Sequence, residues 1–213
     1  MDHTMTDFSL IETLRWQPRG GFIRLRLHLA RLSRSARRLG FPPPIEAAAK
    51  LEDAVAGSAG PRRIRLTFDA QGRIEVTGAA FVPLAPETAW TIRIAETRLD
   101  STDRLLRHKT TRRAVYETAR AEYAPDEADE VILLNERGEV CEGTITSVFL
   151  DDGTGLLRTP PISCGLLAGV LRTELICARK ARVGRLTLAD LDTGTLYVGN
   201  SLRGLIRANL VRT

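Results

Sequence analysis

Arg104-Leu-Leu-Arg-His-Lys-Thr-Thr-Arg-Arg-Ala-Val-Tyr116 is the stretch from which the rest of this chain is read. Of its 31 basic residues only Lys50, Lys109 and Lys180 are lysines; the others are arginines. A guanidinium stays protonated under any accessible condition, whereas a desolvated lysine can lose its proton and attack a carbonyl. Lys50 and Lys180 each lie near the end of an Ala/Leu-rich helical pattern, where a solvated cation suits the helix dipole. Lys109 stands instead between His108 and paired threonines, just ahead of a helical run. Two readings follow: a reactive amine, or an ordinary cation in the first turn of a helix.

Working outward, 213 residues with 43% apolar and 27% charged content fit one large or two small globular domains. No apolar run approaches the roughly 20 residues of a membrane span, so no membrane association is expected. MDHTMTDFSL has neither the basic region nor the apolar core of a signal peptide. Cys141, Cys164 and Cys177 are odd in number and widely spaced, which predicts a reducing compartment, the cytoplasm. His3, His28 and His108 are too scattered for a metal site, and none is expected. The net charge of +5 permits nucleic acid, with HLARLSRSARRLG as its segment. Yet Leu29, Leu32, Ala36 and Leu39 form an apolar stripe at helical spacing there. No aromatic platform interleaves with the arginines, so nucleic acid is not expected as a partner.

The patterns predict strands at Asp7–Trp16 and Phe22–Leu27, helices over 28–39 and 44–56, and a hairpin of RRIRLTFDA and RIEVTGAAF around Gln71-Gly72. Pro83 and Pro86 mark a linker, dividing a small N-terminal α/β domain, 1–86, from a larger C-terminal one, 87–213, that carries Lys109. The second part predicts a strand at Trp90–Glu96, a helix to about Tyr123, and two strands around an Arg137-Gly138 turn. A short strand at Leu156–Thr159, a helix over Gly165–Lys180 and a late strand running into a loop in TLYVGNSLRGLIRANL complete it. The class is α+β, with mixed sheets and flanking helices.

No GxxxxGK[ST] or GxGxxG phosphate loop occurs, and GNSLRG lacks the spacing of a nucleophile elbow. What remains is an ordered series: ETLR at 12–15, HLARLSRSARRLGF at 28–41, LLRHKTTRRAVY at 105–116, NERGEVCEGTITSVF at 135–149, GLLAGVLRTEL at 165–175 and GNSLRGLI at 199–206. Over nearly the whole chain this series resembles the class IV aminotransferase-like family of pyridoxal phosphate enzymes. Those enzymes have a two-domain fold type IV architecture and include branched-chain and D-amino-acid aminotransferases and 4-amino-4-deoxychorismate lyase. HKTT followed by Arg, paired with NSLRGLI, looks most like the lyase branch. The chain departs from the family pattern at Thr146-Ser147, where Ser-Asn is usual, at Arg112, where asparagine is common, and at Ala168-Gly169, where Pro-Gly precedes the phosphate turn.

The resemblance implies that Lys109 is the Schiff-base lysine and Glu142 the carboxylate facing the pyridine nitrogen, which it keeps protonated. At an effective dielectric of about 20, unit charges 4 Å apart attract by about 4 kcal/mol, or roughly 3 pKa units. It further implies that Arg31 clamps the cofactor phosphate, because a guanidinium offers paired donors. Backbone amides at Val170 and Leu171 serve the same phosphate from a helix N-terminus, joined by donors from Asn200 and Ser201. The implied substrate is a small amino compound. The implied reaction converts 4-amino-4-deoxychorismate to 4-aminobenzoate and pyruvate, with Lys109 removing the proton at the carbon bearing the amino group. A class IV aminotransferase acting on branched-chain or D-amino acids is the alternative, and an arginine-rich nucleic-acid-binding module without cofactor the remote one. The family builds its active sites near a two-fold axis, which implies a homodimer. The few apolar residues of the first half point the same way.

Overall fold

The structure, a computed structural model, describes residues 8–212; His3 and Asp7 lie outside them. The chain forms two compact units. The first holds the described residues up to Pro83 together with His108–Arg112, and the second holds Leu84–Arg107 and the described residues from Arg113 onward.

In the first unit, β1 (Leu10–Gln17) is followed by a turn and by β2 (Gly21–Phe22). The alternation in Phe22–Leu27 predicts a longer strand, but the chain turns at Arg24, whose φ is 59°. The amides of Leu27 and His28 then bond the Arg24 carbonyl, so Leu25–Leu39 forms the helix α1. Helix α2 (Ala47–Asp53) is shorter than the pattern predicts, and β3 (Arg62–Phe68) and β4 (Ile74–Ala80) make the expected hairpin. Its turn uses Gly72 at φ 84° and the Asp69 carboxylate, which accepts from the amides of Gln71 and Arg73. The antiparallel sheet runs β2-β1-β3-β4. Leu10, Ile11, Leu14, Leu32, Leu51, Ile64, Leu66 and Phe68 fill its core.

The apolar stripe Leu29–Leu32–Ala36–Leu39 does not set the inward face of α1. The buried residues are His28, Arg31, Leu32, Ser35 and Ala36, still at helical spacing but rotated toward polar side chains. The cause is Glu12, buried on β1, which draws Arg31 and His28 inward.

A domain division at residue 86 puts Lys109 in the second domain, whereas His108–Arg112 packs with the first unit. β3 occupies one edge of β1 along Leu10–Trp16, and β2 covers only the Trp16–Gln17 end of the other. The Lys109 segment takes the Ser9–Ile11 end of that edge. Ile11 N–H bonds the Lys109 carbonyl at 2.8 Å, Thr111 N–H bonds the Ser9 carbonyl at 2.9 Å, and Thr110 bridges Leu10. Lys109 is therefore not in the first turn of a helix.

The second unit is an eight-stranded mixed sheet. Its elements in order are β5 (Ala89–Leu99), a 3₁₀ turn at Arg104–Arg107, α3 (Ala114–Ala121), β6 (Glu130–Asn135), β7 (Val140–Gly143), β8 (Ser147–Asp151) and β9 (Leu157–Thr159). They continue with α4 (Val170–Cys177), β10 (Ala181–Val183), β11 (Thr195–Asn200) and β12 (Gly204–Leu210). Strand order is β10-β9-β8-β11-β12-β5-β6-β7, and β7 also pairs β8. β6 is buried on both faces: Ile132 and Leu134 enter one apolar cluster, Val131 and Leu133 another. That explains a near-continuous apolar run where half-exposed strands alternate.

Three expectations change here. EVILLNERGEVCEGTITSVFLDD, residues 130–152, holds three strands and not two, because Glu130 organises a turn between β7 and β8. Its buried carboxylate accepts from the amides of Val131, Thr144 and Ile145 and from the hydroxyls of Thr144 and Thr146. The helix expected from Gly165 begins only at Val170, since Gly165 takes φ 88°, outside the helical region, and a Cβ there would fall 2.7 Å from the Ser101 Cα. The late strand is a hairpin of β11 and β12. Among the described residues, no helix is long and apolar enough to cross a membrane.

Candidate cofactor site

In the first unit one carboxylate organises two nitrogen bases. Glu12 is 2% exposed; it accepts from Arg31 Nε at 2.8 Å and Nη2 at 2.6 Å, and His28 Nδ1 lies 2.6 Å from its Oε2. Burial alone raises a carboxyl pKa, but the charge and hydrogen bonds of Arg31, then those of His28, hold Glu12 at about 2. Burial outweighs Glu12 at His28 and lowers its pKa. The imidazole is thus neutral at pH 7, with Nδ1–H donating to Glu12. Glu12 takes the Nε–Nη2 edge of Arg31, and the Nη1 edge plays no part in that pair. Nearby, His108 Nδ1 lies 2.9 Å from the buried Ser35 hydroxyl, fixing the residue before Lys109 to α1.

In the second unit, Glu142 on β7 is 5% exposed. Its Oε1 accepts from the Tyr116 hydroxyl at 2.7 Å and the Leu167 amide at 3.2 Å. Burial, then the Glu142 charge, raises the Tyr116 pKa, so the phenol stays protonated and donates. Glu142 stands opposite Ser147 on β8, and Ser147 opposite Gly199 on β11, so the three share one row across the sheet. The N-terminus of α4 lies over this row. A Cβ on Gly169 would fall 2.6 Å from Ser147 Oγ, and one on Gly199 would fall 2.6 Å from the Gly204 carbonyl and 2.9 Å from Leu171 Cδ2. Gly199 has to be glycine because the atom in the way is backbone, whereas at Gly169 a Cβ would displace the Ser147 hydroxyl.

No side chain caps α4 at Gly169, so the first-turn amides, Val170 and Leu171 among them, keep their capacity to meet an anion. Ser201 is buried in the turn between β11 and β12. Asn200 shapes that turn: its Oδ1 accepts from Arg203 N at 3.0 Å and its Nδ2 donates to the Ile145 carbonyl at 3.3 Å. The donor set of this unit is a buried carboxylate, uncapped helix amides and two serine hydroxyls, with glycines lowering the walls. It suits a ligand with a basic ring nitrogen and a phosphate, as pyridoxal phosphate has. Among the described residues no cluster of three His, Cys, Asp or Glu side chains could hold a metal.

Four residues here carry no motif of their own in the sequence. Tyr116 sits inside the quoted stretch but reads as a core aromatic. Glu130 reads as the last member of an acidic loop. Glu12 and His28 lie in quoted segments, and a lone glutamate between Ile11 and Leu14 was the available signal for the pair.

The amino-transferase class IV family model matches residues 9–211. Among solved structures, a protein of Mesorhizobium loti provisionally assigned as an amino-acid aminotransferase is 51% identical, with a TM-score of 0.94 over 96% of this chain and 100% of that one. A protein provisionally assigned as a 4-amino-4-deoxychorismate lyase is 28% identical, with a TM-score of 0.80 over 94% of this chain and 84% of that one. A hypothetical aminotransferase of Mycobacterium tuberculosis in its PLP-bound form shares the fold at 23% identity, with a TM-score of 0.81 over 95% and 81%. No curated protein matches the chain. With almost the whole chain inside the family's pattern, this protein belongs to the class IV aminotransferases, enzymes dependent on pyridoxal 5′-phosphate.

Proposed function

We propose that the chain is a lyase that converts 4-amino-4-deoxychorismate to 4-aminobenzoate and pyruvate. The observation that carries this reading is the occurrence in one chain of two motifs, His108-Lys109-Thr110-Thr111 followed by Arg112 and NSLRGLI at 200–206. Both patterns look like the lyase branch, and the provisional assignment of the 28% identical structure supports it.

Bound pyridoxal phosphate supplies the aldehyde that takes up the substrate amine and the electron-poor ring that makes its neighbouring C–H acidic. Lys109 would hold that aldehyde through its amine until the substrate amine displaces it, would then be the base that takes the C–H proton, and would take the aldehyde back as the product amine leaves. Loss of that proton would let the substrate's C–O bond to the enolpyruvyl group break, making the substrate's own six-membered ring aromatic, and enolpyruvate would gain a proton to become pyruvate. Glu142 would hold the cofactor's pyridine nitrogen protonated. Arg31, the Val170 and Leu171 amides and Ser201 would hold the phosphate, with Asn200 shaping the turn that offers Ser201.

A second reading, amino-acid transamination, is favoured by the 51% identical relative's assignment. It shares every step up to proton removal by Lys109. One experiment separates the two: purified protein is given aminodeoxychorismate, and in parallel a panel of amino acids with 2-oxo acids. Release of 4-aminobenzoate supports the lyase; amino transfer without it replaces the lyase by the transferase. We further propose that the protein works as a homodimer in the cytoplasm. Sedimentation equilibrium tests the first point, and an active species at the 23.5 kDa monomer mass overturns it.

A further inference from the structure

Tyr116 comes from α3, Leu167 from the segment before α4 and Glu142 from β7, yet two donors from separate elements converge on one oxygen, Glu142 Oε1. A buried phenol needs only one partner, and an ordinary carbonyl would do. Choosing the carboxylate has two effects. The bond fixes rotation of the carboxylate about its last side-chain bond, and it stabilises the anion over the acid. The tyrosine is itself held in place. The Arg113 guanidinium stacks over its ring, 4.6 Å from the centroid, and also donates to the carbonyl of Thr144, two residues beyond Glu142. Ring and hydroxyl are thus both referenced to the strand end that carries the carboxylate.

Resting on the assignment of Glu142 to the ring nitrogen, we propose that Tyr116 is a positioning residue that holds the Glu142 carboxylate oriented and anionic toward that nitrogen. Phenylalanine at 116 keeps the ring and the Arg113 stack and removes only the donor. Its effect is therefore confined to ligands that possess the nitrogen.

The test is equilibrium titration of apoprotein with pyridoxal 5′-phosphate and with its 1-deaza analogue, in which C–H replaces the ring nitrogen. Tyr116→Phe should bind pyridoxal phosphate on the order of tenfold more weakly, the scale of a lost charge-assisted hydrogen bond, and bind the deaza analogue as the wild type does. In a Glu142→Gln background the same substitution should have no further effect. Equal weakening toward both ligands overturns the proposal in favour of a purely structural tyrosine. Unchanged affinity for pyridoxal phosphate, or a full effect persisting in Glu142→Gln, overturns it as well. Glu142→Gln alone reports separately on the underlying assignment. If that variant discriminates the two ligands as the wild type does, Glu142 does not face the ring, and the site reading fails together with the proposal.

Discussion

Arg31 and Glu12 meet edge to edge inside the first unit, through two hydrogen bonds of 2.8 and 2.6 Å, with both side chains less than a tenth exposed. An arginine held this way cannot swing to find a ligand. It presents a fixed remaining edge, and the helix has turned a polar face inward to keep it there.

Arg31→Ala should weaken pyridoxal phosphate binding by about 1.5–3 kcal/mol, the range for a lost charged hydrogen bond. Pyridoxal, which lacks the phosphate, should bind both proteins alike. Titration of apoprotein with the two compounds checks this, and a loss shared equally by both would assign Arg31 to folding alone.

The same pair predicts acid sensitivity. Glu12 is held at about 2 against an ordinary 4.5, so its contribution is complete above about pH 4.5 and disappears as the pH falls through about 2. The gap corresponds to about 3 kcal/mol. His28 acts in the same direction from higher pH. With its pKa lowered from 6.5, the unfolded chain takes up a proton below that value that the native state refuses, so stability begins to fall there. Thermal melting of apoprotein from pH 7 to 3 should show a decline that Glu12→Gln shortens at the acid end and His28→Gln at the neutral end. Identical pH slopes in all three proteins would remove the triad from the explanation.

Glu130→Ala should destabilise the second unit by at least about 3 kcal/mol. It strips the acceptor from several buried donors at once, and each such orphan costs about 1–3 kcal/mol. Denaturant unfolding measures it. Glu130→Gln should lose less, because one carbonyl oxygen remains.

Lys109 should carry the cofactor after borohydride reduction. Peptide mass spectrometry locates the pyridoxyl group, and its appearance on Lys50 or Lys180 alone would reject Lys109 as the reactive amine.

The fold class was legible because hairpin turns announce themselves: Gln71-Gly72 and Arg137-Gly138 fall where the structure turns, and Gly72 and Gly138 both take positive φ. The split between β7 and β8 was not legible. It depends on Glu130, 14 residues before Thr144, whose acceptor role exists only once the chain has folded. The inward face of α1 was misjudged for a related reason. Apolar periodicity weighs Leu29 and Leu39 but cannot weigh a buried carboxylate that repays two polar side chains. Ordered segments announced the family, while Tyr116 stayed hidden because its role is a contact and not a pattern.

The hydrogen-bonded path β8–β11–β12–β5–β6–β7 returns to β8 through the single pair Glu142–Ser147. β12 is one link of that cycle, lying between β11 and β5. A nascent chain emerging from the ribosome can pair β5, β6 and β7 early, but it cannot close the loop of strands until Gly204–Leu210 has been made. Glu142 can therefore meet its opposite neighbour Ser147 before Gly199, the third member of their row, has been made. The row that Glu142 begins is therefore incomplete until Gly199 has been made, and the cycle of strands stays open until β12 follows it.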